Sequence, residues 1–97
     1  MIVSFGSQGT EDIYHGRDTA AARKTLARAL WPVARRKLDM INAAQDVMDL
    51  RSPPGNRLEE LKDDRKGQHS IRINDQWRIC FVWRDGDAFD VEIADYH

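Results

Sequence analysis

Cysteine occurs once in this 97-residue chain, as Cys80, so no disulfide can form within it. No Cys/His cluster has the spacing of a structural zinc site, and a reducing, cytosolic setting is the expectation. Long apolar runs are also missing. Nowhere do about 18 consecutive apolar residues occur, and Met1–Gly6 lacks the basic stretch and apolar run of a signal peptide, so neither a membrane span nor secretion is expected. A glycine-rich phosphate loop, a Ser/His/Asp set at a recognisable spacing and a metal-ligand cluster are likewise absent. Metal-independent chemistry without a cofactor is the enzymatic option that remains. An excess of one charge is lacking too, because 15 Lys+Arg stand against 16 Asp+Glu for a net charge of −1.

That balance conceals a separation. Residues 23–37 carry six cations and no acid, whereas residues 85–97 carry five acids and neither Lys nor Arg. Screening over about 8 Å makes the local patch the relevant quantity, so a chain arranged in blocks can still present a positive surface to a polyanion. The length suits one domain spanning residues 1–97, since a chain of this size closes a single core.

Ile2, Val3 and Phe5 before Gly6-Ser7-Gln8-Gly9 predict a short strand ending in a turn. Thr10 is placed to cap one helical turn around Glu11 to His15, which Gly16 ends. From Asp18 to Met48 the apolar residues Leu26, Leu30, Val33, Leu38, Ile41, Ala44 and Met48 recur at helical steps. Pro32 falls within this stretch, lacks an N–H and breaks it into two helices, standing near the start of the second. Arg51-Ser52-Pro53-Pro54-Gly55-Asn56 is a turn cluster.

After it the period changes to two. Ile71 and Ile73, then Trp77, Ile79, Phe81 and Trp83, then Phe89, Val91 and Ile93 each alternate with more polar neighbours, and the connections at 74–76 and 85–87 are short. Consecutive hairpins follow, giving an antiparallel sheet whose apolar face the helices cover. The expected fold class is a small α+β domain: an N-terminal short strand and helices packed on a C-terminal antiparallel sheet. Trp31, Trp77 and Trp83 are expected to pack in the core or at its edge.

Parity places Arg72, Arg78, Arg84 and Tyr96 on the opposite, open face, where three arginines and a phenol suit a phosphodiester. Polar residues on a solvated strand face give the same pattern for solubility alone. The chain ends Asp95-Tyr96-His97, three groups able to exchange protons, and an imidazole with an ordinary pKa of about 6.5 suits transfer near neutrality. The loop Leu61 to His69 offers Lys62, Arg65 and Lys66 to phosphates, interleaved with Asp63 and Asp64. His69 itself reads as structural. The cations Arg23, Lys24, Arg28, Arg35, Arg36 and Lys37 read equally as a solvated helix face or as a ribosomal RNA contact.

The runs Leu50 to Glu59, Gly67 to Phe81 and Val91 to His97 resemble the HigB subgroup of the RelE/ParE toxin superfamily, over roughly the C-terminal half of the chain. The segment Tyr14 to Trp31 is longer and richer in Ala and Arg than that family's pattern, and Lys62-Asp63-Asp64-Arg65 stands where Lys-Gly-Asp-Arg is frequent. The resemblance implies a RelE-like fold and the toxin of a bacterial type II toxin–antitoxin pair. It also implies a helix-turn-helix, HigA-like antitoxin as partner, operator DNA reached indirectly through that antitoxin, and mRNA cleavage on the ribosome. By position it assigns catalysis to Arg72, Arg78, Asp95, Tyr96 and His97, and RNA binding to the loop around Lys62.

Attack of a ribose 2′-hydroxyl on its own phosphate needs a proton acceptor, a proton donor and cations for the phosphorane, and no metal is essential. In this scheme Arg72 and Arg78 stabilise the phosphorane, His97 or Asp95 exchanges protons and Tyr96 stacks on or orients the nucleotide. Base and acid stay unassigned. Two rivals remain: a ParE-like inhibitor of DNA gyrase, which lacks the Asp95-Tyr96-His97 ending, and a non-catalytic protein that binds antitoxin and regulates an operator.

Overall fold

The structure is a computed structural model and describes residues 1–95; Tyr96 and His97 lie outside the described residues. Three α-helices, α1 (Gln8–Tyr14), α2 (Ala20–Thr25) and α3 (Trp31–Ala43), precede a sheet of β1 (Glu59–Glu60), β2 (Gln68–Arg72), β3 (Trp77–Arg84) and β4 (Asp87–Asp95). The strands lie in the order β1-β2-β3-β4, every pair antiparallel. The expected meander of hairpins is therefore present, with the two-residue β1 added at its edge. Among the described residues no helix is long and apolar enough to cross a membrane.

Each helix boundary has a local cause. Ser7, rather than Thr10, caps α1, its hydroxyl accepting the Thr10 N–H at 3.2 Å. Thr10 is instead fully enclosed, and its Oγ1 accepts the Ile93 N–H at 3.0 Å, tying α1 to β4. Gly16, at φ 73°, takes the left-handed conformation that ends the helix, as the sequence predicts. Thr19 caps α2, and a short 3-10 turn over Arg28–Leu30 leads into α3 with Pro32 in its first turn. The apolar stripe of α3 is Trp31, Ala34, Leu38 and Ile41. It ends earlier than the sequence suggests: α3 stops at Ala43, and Met48, expected to face the core, is 53% exposed in a separate 3-10 turn.

Ile13, Leu38, Ile41, Ile71, Ile79, Phe81 and Val91 are all wholly enclosed where the helices meet the sheet. Trp31 belongs to this core and donates its indole N–H to the Leu26 carbonyl at 2.8 Å, while Trp77 and Trp83 pack at its edge. Close approach of α1 and α2 depends on Gly9. A Cβ there would fall 2.5 Å from the Ala21 carbonyl oxygen and would collide with the Thr25 hydroxyl.

Residues 1–6 run parallel to β4 through isolated bridges at Ile2–Ala88 and Phe5–Val91, in place of the regular strand expected. They brace an irregularity that the sequence pattern concealed. Between Cys80–Glu92 and Val82–Phe89 the register gains one residue on β4, and Asp90 there has φ 54°. The Asp90 and Val91 N–H groups donate to the Ser4 hydroxyl and carbonyl at 2.9 and 3.1 Å. A bulge flips every side chain beyond it to the other face. Ala88 therefore enters the core, and Phe89, expected there, lies under the Arg84 guanidinium at 4.4 Å.

The first two helices carry a pH-sensitive link. Asp12 is buried and accepts hydrogen bonds from Thr19 Oγ1 at 2.7 Å, Gln8 Nε2 at 2.9 Å and Arg17 Nε at 3.0 Å. The Thr19 and Gln8 hydrogen bonds, with Arg17 beside them, hold its carboxyl below the usual carboxylate range against the opposing effect of burial. A carboxylate with a depressed folded pKa adds stability that is complete above its unfolded value near 3.8 and is lost as pH falls through the folded value. Asp12→Asn is expected to melt below the wild type at neutral pH, with the gap closing as pH drops below about 4. Thermal melts across pH check this, and a gap of constant size would exclude it.

Candidate functional site

On the sheet face away from the helices, Arg72 of β2 and Arg78 of β3 stand directly opposite each other in the antiparallel register. Two cations at paired positions repel, so each needs an anionic or hydrogen-bonding neighbour. Arg72 is bonded by the Asp75 carboxylate. Arg78 donates Nε to Ser70 Oγ at 2.7 Å, and Nη2 to the Arg57 carbonyl at 2.5 Å and the Ser70 carbonyl at 3.2 Å. With these partners Arg78 is only 7% exposed. That corrects the sequence expectation of an open, solvated arginine: Ser70, Arg78 and Cys80 are all buried along the middle of this face. Burial also pushes the Cys80 thiol up from its ordinary pKa.

A cleft of about 280 Å³ opens beside the two arginines and is lined by Arg57, Glu59, Arg72, Asn74, Asp75 and Arg78. Glu59 reaches it because β1 pairs Glu59 with Ser70, setting it on the Arg78 face. Asn74 Oδ1 accepts the Gln76 and Trp77 N–H groups at 2.9 and 2.8 Å, closing the turn from β2 to β3 at the rim. Lys37 of α3 lies at the same end of the domain, donating to Asn56 Oδ1. Burial, Arg36 and then Arg72 push its ammonium below the usual lysine value.

The other residues singled out from the sequence are distributed around this cleft. Asp95 pairs with Trp77 at the end of β4, on the opposite face from Arg78, and accepts from Gln76 Nε2 at 3.1 Å. Arg84 is six residues from Arg78 along β3, a separation of about 20 Å, so Arg72, Arg78 and Arg84 do not form one cluster. Arg65 donates to Glu92 at 2.8 Å and Gln68 at 3.1 Å, which engages a guanidinium expected to meet phosphate. Lys62 and Lys66 flank the 3-10 turn Asp63–Arg65 and are exposed. His69 stacks on Phe81 with ring centroids 6.2 Å apart, the structural role expected. Tyr96 and His97, also singled out from the sequence, lie outside the described residues.

Arg57, Glu59, Asn74 and Asp75 are the cleft residues that sequence reasoning missed. Strand parity reaches a residue only inside a recognised strand, and β1 is too short to show alternation. The signal available was the Pro-Pro-Gly-Asn turn, which delivers the next residues to the sheet edge.

A four-stranded antiparallel meander covered on one face by N-terminal helices, with a cationic cleft on the other, is the frame of a RelE-like α+β protein. A chain of the YoeB–YefM complex from Staphylococcus aureus supports this fold, with a TM-score of 0.61 at 16% identity over 100% of this chain and 98% of that one. The chain belongs to the HigB-like toxin family, described as the RelE-like toxin of the type II toxin–antitoxin system HigB, which matches residues 3–97. Toxin HigB-1 of Vibrio cholerae is 53% identical over 55 residues, covering 57% of this chain and 58% of that protein. Endoribonuclease HigB of Proteus vulgaris is 34% identical over 103 aligned positions, covering all of both chains.

Proposed function

We propose that this chain, with residues 1–97 working as one domain, is the toxin of a bacterial type II pair and cleaves mRNA on the ribosome. The observation that carries the reading is the cleft in which Arg72 and Arg78 face each other. Two guanidiniums held by neighbouring groups are aimed before substrate arrives, so stabilising a dianionic phosphorane needs little reorganisation. The ribose 2′-hydroxyl supplies the nucleophile, which makes RNA the substrate.

His97 exchanges protons in this scheme rather than Asp95, which β4 carries on the opposite face from Arg78; Tyr96 stacks on or orients the nucleotide, and Glu59 adds a carboxylate inside the cleft itself. Lys62, Lys66 and Arg84 contact the RNA backbone outside the cleft, and Arg65, tied to Glu92, anchors the loop that presents the two lysines. The activity is cytoplasmic and is neutralised by a HigA-like helix-turn-helix antitoxin, through which the pair reaches operator DNA. The name of the Proteus vulgaris relative, an endoribonuclease, supports RNA cleavage, and that of the staphylococcal toxin–antitoxin complex supports an antitoxin partner.

Two incubations test it. With translating ribosomes, mapped mRNA 5′ ends are expected to show cleavage by the wild type and about 10²-fold less by His97→Gln. With DNA gyrase, supercoiling is expected to continue unimpaired. Intact mRNA together with inhibited gyrase would transfer the chain to the ParE-like reading.

A further inference from the structure

Arg57 holds a backbone conformation that arginine seldom takes. Its φ of 45° and ψ of 57° lie in the left-handed region, where a Cβ crowds the backbone and glycine is the favoured residue. The surroundings dictate that conformation from both sides. On one side Asn56 is wholly enclosed and donates Nδ2 to the carbonyls of Leu50 and Ser52 at 3.2 and 3.4 Å. Because Asn56 also accepts from Lys37, the turn is fastened to α3. On the other side the Arg57 carbonyl receives the Arg78 guanidinium.

The side chain that results is exposed, lines the cleft and makes no ion pair among the described residues. Its contribution to the local charge is decisive. The cleft lining holds three arginines against Glu59 and Asp75, a net of +1, and without Arg57 that net falls to zero. Backbone strain held in place by neighbours clusters at ligand-binding positions, and here it coincides with the edge of a cleft.

We propose that Arg57 is a further phosphate-binding residue of this site, its guanidinium meeting the phosphodiester held between Arg72 and Arg78 while its carbonyl keeps Arg78 aimed. The inference rests on the RNA-cleavage reading above. A purely structural account would assign the residue its carbonyl alone, and glycine separates the two, since it keeps that carbonyl, tolerates the left-handed backbone and removes the cation.

The experiment compares full-length wild type, Arg57→Gly, Arg57→Asn and Arg57→Lys in single-turnover cleavage on mRNA-programmed ribosomes, with a thermal melt of each. Arg57→Gly is expected to melt at or above the wild-type temperature yet cleave about 10- to 100-fold more slowly. Arg57→Asn, also tolerant of this backbone, is read in the same way and guards against a folding failure of the glycine variant. Arg57→Lys is expected to recover part of the rate. Cleavage by Arg57→Gly or Arg57→Asn within about twofold of the wild type would overturn the proposal, as would a lysine variant no faster than the glycine one. Absence of cleavage by the wild type is a separate result that removes the functional reading itself.

Discussion

Arg78→Ala is expected to slow ribosome-dependent mRNA cleavage by about 10²- to 10³-fold, the loss typical when one preorganised donor to a developing oxyanion is removed. The size follows from how the guanidinium is mounted. Ser70 Oγ and the carbonyls of Ser70 and Arg57 receive its Nε and Nη2, so its orientation is fixed before RNA arrives. Alanine also leaves buried acceptors unmatched, at a cost of about 1–3 kcal/mol, and the melting temperature must be followed beside the rate. Arg78→Lys restores the charge without the planar fork and cannot bridge Ser70 and Arg57 together. Its expected rate lies between alanine and wild type. Single-turnover rates for both variants, measured well below their melting points, separate lost chemistry from lost fold, and a wild-type rate in Arg78→Ala would remove the arginine from the mechanism.

Phe81→Ala is expected to give the largest loss of stability, about 3–5 kcal/mol. Phe81 is wholly enclosed in β3, between His69 and Trp83 at centroid distances of 6.2 and 6.3 Å. It lies between the paired positions Cys80 and Val82 that bracket the bulge, so the space it leaves adjoins the least regular part of the sheet. A small domain has about 5–15 kcal/mol in total, so the variant should lose a large share of its stability and unfold at a markedly lower urea concentration than the wild type. Urea denaturation measures the loss directly. Val3→Ala, at a residue 53% exposed, serves as the comparison and is expected to stay within about 0.5 kcal/mol of the wild type.

These two residues also mark what could be read in advance. Phe81 sits in an uninterrupted two-residue period from Trp77 to Trp83, and its burial, the hairpins and the covering helices all follow from that pattern. Parity likewise placed Arg72 and Arg78 on one face, although their pairing in register came only with the structure. It failed at Phe89, because the bulge at Asp90 depends on the Ser4 hydroxyl some 86 positions away in sequence, and local alternation carries no record of such a partner. Burial of Arg78 was hidden for a similar reason, since the Arg57 carbonyl lies 21 positions upstream. Arg57 and Glu59 join the cleft through a turn and a two-residue strand, elements whose effect is felt only once the chain has folded back on the sheet.

The chemistry of the cut ends tests the central claim most directly. If a 2′-hydroxyl attacks its own phosphate in the Arg72–Arg78 cleft, ribosome-bound mRNA should be cut to a 5′-hydroxyl fragment and a 2′,3′-cyclic phosphate. A single 2′-deoxy substitution at the cleavage position should abolish that cut. Fragments carrying a 5′-phosphate, or undiminished cleavage at the 2′-deoxy site, would show that water is the nucleophile and would contradict the account.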